Sequence, residues 1–335
     1  MTIMSSILLG NALPLKMRNT SDLRKLDAPG MNACIRAVVR AGIHAGMEVY
    51  GVRRGYFGLV NDEMELMNMG SVSDIVQRGG TILYTARCPE FKTREGMEKA
   101  YQTIKKRGLE GLIVIGGDGS FRGATELTEL YGIKTIGIPG TIDNDLGYTD
   151  YTLGFDTAVN TVVNLINNIR DTMTSHERVS VVEVMGRNCG DIALYSGVAG
   201  GAEVIAIPEI PIYAEQVVEK IRSSRARGKK SNIIVVAEGV KNFDEVREAI
   251  EKELGLSIRT TVLGHIQRGG APSMQDRVLA SKFGYHAIEL LEAGKTKRVI
   301  GIRDNKIVDF DILEVQGMQR PVDAYMYNLA KVLAM

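Results

Sequence analysis

The chain has no tryptophan, four histidines, eight prolines and three cysteines. Cys34, Cys88 and Cys189 are odd in number and show no C-x-x-C spacing. A disulfide framework is therefore excluded, and the three read as thiols of a reducing compartment. Four scattered histidines leave little from which to build a zinc site. An excess of one charge is also missing: 41 Lys and Arg against 40 Asp and Glu give a formal charge of +1. That balance offers no global attraction to nucleic acid or to an anionic membrane. No apolar run approaches the roughly 18 residues that a membrane span requires. Met1–Gly10 carries no basic residue ahead of its apolar stretch, as a signal peptide would. A cytoplasmic protein with neither membrane nor nucleic-acid partners is expected. Low-complexity segments, solenoid repeats and a Pro/Ser-rich linker are absent too, so a second domain is expected to share chain crossings with the first.

Glycine, in contrast, is abundant. It fills 37 of 335 positions, where a share of about 7% is usual. The glycines cluster after short apolar runs, which points to tight strand-to-helix turns. A hydrophobic share of 44% supports a sizeable core, and 335 residues favour two domains over one. Strands are predicted at Met47–Val52, Gly111–Ile115, Thr135–Ile138, Val179–Val184, Val204–Ile207, Ser231–Val236 and Arg298–Ile302. Several are apolar throughout, as parallel strands covered on both faces are. Helical spacing recurs at Ile35, Val38, Val39 and Ile43, and at Val159, Val162, Val163, Ile166 and Ile169, with Asp156 as an N-cap. The pattern predicts an α/β protein with two doubly wound, mainly parallel sheets flanked by helices.

Four features carry chemistry. Gly116-Gly117-Asp118-Gly119-Ser120 follows the strand LIVI and precedes a helix. Glycines there let backbone approach phosphates, the helix start offers free N–H donors, and Asp118 can meet a phosphate-bound magnesium ion. A tight turn with Asp118 as a cap would use the same residues. Pro139-Gly140-Thr141-Ile142-Asp143-Asn144-Asp145 follows TIGI. In an extended segment Asp143 and Asp145 point the same way, which suits one as a proton acceptor and the other beside a metal; an Asx-type turn is the plainer use. Arg178 (in Ser175-His176-Glu177-Arg178), Arg187, Arg259 and Arg268 stand in basic segments, several beside glycine, which suits bidentate phosphate recognition. Arg36, Arg40 and His44 form a basic stripe on one helix, by itself compatible with a solvated face. Gly294-Lys295-Thr296 has the ending of a P-loop, but Glu289 stands where its first glycine belongs, and the pattern fails.

Taken together, DAPGMNA at Asp27–Ala33, IGGDGS at Ile115–Ser120, PGTIDND at Pro139–Asp145, VEVMGR at Val182–Arg187 and GHIQRGG at Gly264–Gly270 resemble the bacterial type of ATP-dependent phosphofructokinases. The resemblance runs from about Asp27 to the C-terminus. It implies transfer of the ATP γ-phosphoryl group to the 1-hydroxyl of fructose 6-phosphate, with magnesium, as a step of glycolysis. Asp143 would be the base for the sugar hydroxyl, and Thr141 and Asp145 would support the reacting oxygens and the metal. Arg87 would meet the transferring phosphoryl group. Tyr56, Arg87, Cys88, Gly117, Asp118, Gly119 and Ser120 would line the nucleotide site, Asp118 facing magnesium. Thr141, Ile142, Asp143, Met185, Gly186, Arg187, Glu238, His265 and Arg268 would bind the sugar phosphate, with Arg178 and Arg259 reaching in from a neighbouring subunit of a homo-oligomer, usually a tetramer. An effector site for activating ADP and inhibiting phosphoenolpyruvate would use Arg36, Arg40, Arg170, Gly201, Glu203, Arg227 and Lys229. The domains implied are residues 1–154 with about 267–317 for ATP, and 155–266 with about 318–335 for the sugar phosphate. Pyrophosphate-using relatives tend to carry Asp at the position of Gly119 and Lys at that of Gly140, so glycine at both implies ATP as donor.

The N-terminus departs from the family. T-S-G-G before DAPG is replaced by residues ending in Lys25-Leu26, and a Leu side chain should crowd the ATP phosphates. The short first strand of the family is not evident, with Ser5–Leu9 or Leu13–Met17 as substitutes. One reading is a catalytically weak regulatory subunit that binds sugar phosphate or nucleotide. The other is an ordinary enzyme behind misread or rearranged first codons, favoured because Asp118, Asp143 and Arg187 all persist.

Overall fold

The computed structural model describes residues 6–12, 27–174 and 178–334, with backbone alone for 6–12 and Thr174. Lys25, Leu26, Leu13–Met17 and Ser175–Glu177 lie outside the described residues. The chain runs β1 (Ser6–Ala12), α1 (Met31–His44), β2 (Glu48–Val52), α2 (Tyr56–Val60), β3 (Met64–Met67), α3 (Arg94–Lys106), β4 (Gly111–Gly116), α4 (Asp118–Tyr131) and β5 (Lys134–Pro139). It continues through α5 (Phe155–Thr174), β6 (Val179–Val184), α6 (Asp191–Ala199), β7 (Val204–Ala206), α7 (Ala214–Ala226), β8 (Asn232–Ala237), α8 (Phe243–Leu254) and β9 (Ile258–Val262). It ends with α9 (Met274–Glu292), β10 (Arg298–Arg303), β11 (Lys306–Asp311), α10 (Ile312–Val315) and α11 (Ala324–Leu333).

Two compact units result. Unit 1 holds Met1–Ile142, Leu146–Asp156 and Arg268–Gln319; unit 2 holds Asp143–Asp145, Thr157–Gln267 and Arg320–Met335. The sheet of unit 1 has the order β11-β10-β5-β4-β1-β2-β3, parallel except for its two edges. Its inner strands are apolar on both faces because helices cover both: all six residues of β4 are buried, and Leu112, Val114, Phe121 and Leu127 share one core with Tyr56 and Phe91. The sheet of unit 2 is fully parallel, order β7-β8-β6-β9, with Val179, Val181, Ile234 and Val236 packed against Val217, Ile221, Val246 and Ile250 of α7 and α8. Full burial of such side chains contributes roughly 1.5–3 kcal/mol each.

Two expectations are corrected. The family's first strand is present: β1 pairs in parallel with β2 and β4, Ile7 opposite Val49 and Gly111. It spans Ser6–Ala12, three residues beyond the first substitute proposed. Asp156 is not a cap but the second residue of α5, where its carboxylate still faces the positive helix end. The strands not foreseen are β3, β9 and β11, edge strands whose mixed polar sequences lack the signal of a covered strand.

Candidate active site

Sheet order reverses between β4 and β1, and open α/β sheets bind ligands beyond the carboxyl ends of strands at such a point. There β4 ends at Gly116, Gly117 precedes α4, and Asp118 is half-buried in the helix's first turn. Gly119 and Ser120 are buried. Tyr56 supports this turn from beneath. Its ring is 6% exposed and stacks on Phe91 at 3.9 Å, and its hydroxyl donates to the Ser120 carbonyl at 2.7 Å. Burial raises the phenol's pKa and keeps it a donor. Tyr56 thus reaches the turn through its backbone. Arg87 is exposed on the loop before α3; Cys88 is half-buried against the core, which raises its thiol pKa.

β5 leads into the second loop. Gly140 donates to the Gly116 carbonyl at 2.9 Å, stitching the two loops together, and a Cβ there would stand 2.9 Å from Ile115 Cγ2. Asp143 and Asn144 are fully buried. The segment is not extended as expected, because Asn144 takes φ 51. Both carboxylates nevertheless meet one cation: Arg187 Nε lies 2.9 Å from Asp143 Oδ2 and Nη1 lies 3.6 Å from Asp145 Oδ2. The guanidinium offsets the repulsion that two aspartates so close would feel.

Sequence reasoning missed the residues that hold this loop. Asn144 donates its amide to Asp191 Oδ2 at 2.8 Å, and the same oxygen accepts from Arg320 Nε. Asp191 sits at the start of α6, 3% exposed. No local signal links positions 47 and 129 residues apart. Asp191→Asn removes the charge opposite an arginine side chain that is only 15% exposed. Breaking such a buried pair costs about 3–5 kcal/mol, so a clear fall in melting temperature is expected. Unchanged melting would dismiss the clamp.

Unit 2 gathers three more loops at one sheet edge. Parallel β6, β8 and β9 end next to residues 185–187, Glu238 and residues 264–267. Glu238 Oε1 accepts from the Arg187 N–H at 3.0 Å, and Gln267 Oε1 accepts from the Met185 N–H at 3.1 Å while its amide donates to Gly264. Gly186 needs its φ of 133, and a Cβ would lie 2.4 Å from the Cys189 carbonyl oxygen. Met185 is buried and His265 exposed. Arg268 is buried and gives Nη1 to the Asp27 carbonyl at 3.1 Å, an anchor on the DAPG segment. Arg178 and Arg259 do not join this edge. Arg178 precedes β6 and Arg259 pairs with Ser180, both at the strands' amino ends. The six residues of β6 place Arg178 about 20 Å from the Met185 loop.

A separate cavity of about 250 Å³ brings together Gly201, Glu203, Arg227 and Lys229. Lys229 pairs with Glu203, and Arg170 Nη2 donates to the carbonyls of Gly200 and Gly201. Arg36 and Arg40 are half-buried on α1 of unit 1.

The fold defines a class: doubly wound α/β proteins with glycine-rich ligand loops at strand carboxyl ends. The family model for phosphofructokinase matches residues 26–291. ATP-dependent 6-phosphofructokinase of Clostridium botulinum strain Hall is 58% identical over 308 residues, covering 92% of this chain and 96% of that one. ATP-dependent 6-phosphofructokinase 1 of Clostridium perfringens strain 13 is 58% identical with the same coverage. The chain belongs to the phosphofructokinase family. Among solved structures, phosphofructokinase from Saccharomyces cerevisiae is 34% identical with a TM-score of 0.85, over 98% of this chain and 48% of that one, so the chain spans about half the yeast chain's length. A pyrophosphate-dependent phosphofructokinase from Marinobacter aquaeolei shares the fold at 22% identity, with a TM-score of 0.80 over 96% of this chain and 86% of that one. Among the described residues no helix is long and apolar enough to cross a membrane.

Proposed function

We propose that this chain phosphorylates fructose 6-phosphate at its 1-hydroxyl with ATP, giving fructose 1,6-bisphosphate and ADP in glycolysis. The observation that carries the reading is the fully buried Asp143 carboxylate held 2.9 Å from Arg187, in a chain 58% identical to ATP-dependent 6-phosphofructokinases. Phosphoryl transfer asks a protein to position reactants and stabilise charge. Asp143 accepts the proton of the sugar hydroxyl as its oxygen attacks phosphorus. Thr141 and Asp145 support the reacting oxygens, and Arg87 meets the transferred group. Arg187, Met185, Gly186, Glu238, His265 and Arg268 hold the sugar phosphate, with Arg268 acting from its buried anchor.

The glycine turn holds ATP. Gly117 has nothing within 4 Å of the place its Cβ would take, a gap a phosphate can enter. Magnesium fits the half-buried carboxylate of Asp118 beside that gap, since the ion favours one or two carboxylates and phosphate oxygens. When bound it would neutralise phosphate charge. A lysine at 140 would collide with Ile115 and Met31, in keeping with ATP as donor.

Arg178 and Arg259 serve the site of a neighbouring copy, because their own strands carry them to the wrong sheet edge. The working form is then a homo-oligomer, a tetramer by family resemblance, in the cytoplasm. The Arg227–Lys229 cavity, with Arg170, Arg36 and Arg40, takes ADP and phosphoenolpyruvate as opposed effectors.

A coupled assay with ATP, magnesium and fructose 6-phosphate tests the reading. Turnover is expected; sugar-phosphate binding without turnover would instead fit a regulatory subunit. Mixing Asp143→Asn with Arg259→Ala tests sharing. Random reassociation leaves about a quarter of sites with both residues intact, so activity well above either variant alone is expected. No recovery after verified subunit exchange would place Arg259 outside the neighbour's site.

A further inference from the structure

A second cavity in unit 2, of about 130 Å³, lies between the end of β7, α7 and α11. Its floor is apolar, with Ile205, Ile207, Ile212 and Val217, and its rim carries Lys220 and Lys331. Burial pushes the Lys220 ammonium below the ordinary lysine range; Glu203 opposes this and Lys331 adds to it. Glu203, the acid on the wall, is engaged on its far side, pairing with Lys229 and accepting from the Ile233 N–H at 2.6 Å. Lys331 lies over the Tyr327 ring at 4.5 Å. Among the described residues neither lysine has a carboxylate within ion-pair distance. Lys220 and Lys331 thus line a hollow with an apolar floor, in which the one carboxylate of the lining, Glu203, is already paired with Lys229.

We propose that this cavity binds a small carboxylic acid with a branched or cyclic apolar body. The carboxylate lies between Lys220 and the exposed Lys331, relieving their repulsion and replacing water that burial has taken from Lys220. The body rests on the isoleucine floor. A cavity of about 150 Å³ accommodates benzene, so a body of about five or six carbons matches the space. A nucleotide does not: it is too large, and the floor offers its base and ribose no polar partner. Glu203 is common to this cavity and to the one holding Arg227, so the two sites share a wall.

The test is calorimetric titration of the full chain with 4-methylpentanoate, without nucleotide or sugar phosphate, so that it reads binding independently of catalysis. Saturable one-to-one binding is expected. Lys220→Met should weaken it at least about tenfold, equivalent to about 1.4 kcal/mol. The neutral amide 4-methylpentanamide should bind wild type at least about tenfold more weakly for the same reason. A melting temperature close to wild type establishes that the variant is folded, and Lys331→Met on the exposed side of α11 supplies an independent test. Absence of saturation by about 50 mM, or equal affinity for the amide or for both folded variants, overturns the proposal.

Discussion

Asp143→Asn is expected to lower kcat at least about 10²-fold while leaving the KM for fructose 6-phosphate within about threefold. The substitution keeps the shape of the side chain and removes its capacity to take a proton. The loop should hold, because its anchors lie elsewhere: Asn144 on Asp191, the Thr141 carbonyl on the Thr152 hydroxyl at 2.6 Å, and Gly140 on Gly116. Asp145 remains as a counter-charge for Arg187 at 3.6 Å, so the arginine keeps its anchor beside the loop. A uniform loss of binding energy would raise KM and spare kcat. A base acts only as the hydroxyl gives up its proton, so its loss appears in kcat. Steady-state kinetics against fructose 6-phosphate at saturating ATP separates the two, and turnover above about a tenth of wild type would remove Asp143 from the base role.

The sheets were legible in the sequence because their inner strands are covered on both faces and read as continuous apolar runs. Gly111–Gly116 and Asn232–Ala237 differ from the predicted ranges by one residue at one or both ends. The first strand was legible only as one of two alternatives, Ser5–Leu9, because no short turn joins it to Asp27, although its pairing with Gly111–Gly116 is that of a central strand. At the site, Asp118, Asp143 and Arg187 were visible because each stands in a glycine-containing motif. What could not be seen was which of them touch. Asp143 and Arg187 meet because β5 and β6 each release a loop into the same unit, a consequence of topology. The supports Asp191, Gln267 and Arg320 were invisible for a related reason: each acts across a long sequence separation, and a buried carboxylate on a helix start looks like an ordinary first-turn acid.

Arg187→Ala is expected to raise the KM for fructose 6-phosphate by about 10- to 150-fold, the loss of a charge-assisted contact of about 1.5–3 kcal/mol. The structure adds a second consequence that a pure binding residue would not have. Arg187 is the cation between Asp143 and Asp145, and its own backbone is held at φ 55 with its N–H on Glu238. Without it the two carboxylates lose the cation that lies between them, and their mutual repulsion is no longer offset by that charge. The base should therefore be held less firmly, and kcat should fall as well as KM rise. Arg187→Lys discriminates between the two roles. Its ammonium restores a positive charge between the aspartates but not the flat fork that grips a phosphate through two parallel bonds. The lysine variant should regain much of the wild-type kcat and little of the affinity. If alanine and lysine instead both keep the wild-type kcat, with KM alone affected, Arg187 serves the sugar phosphate without holding the base.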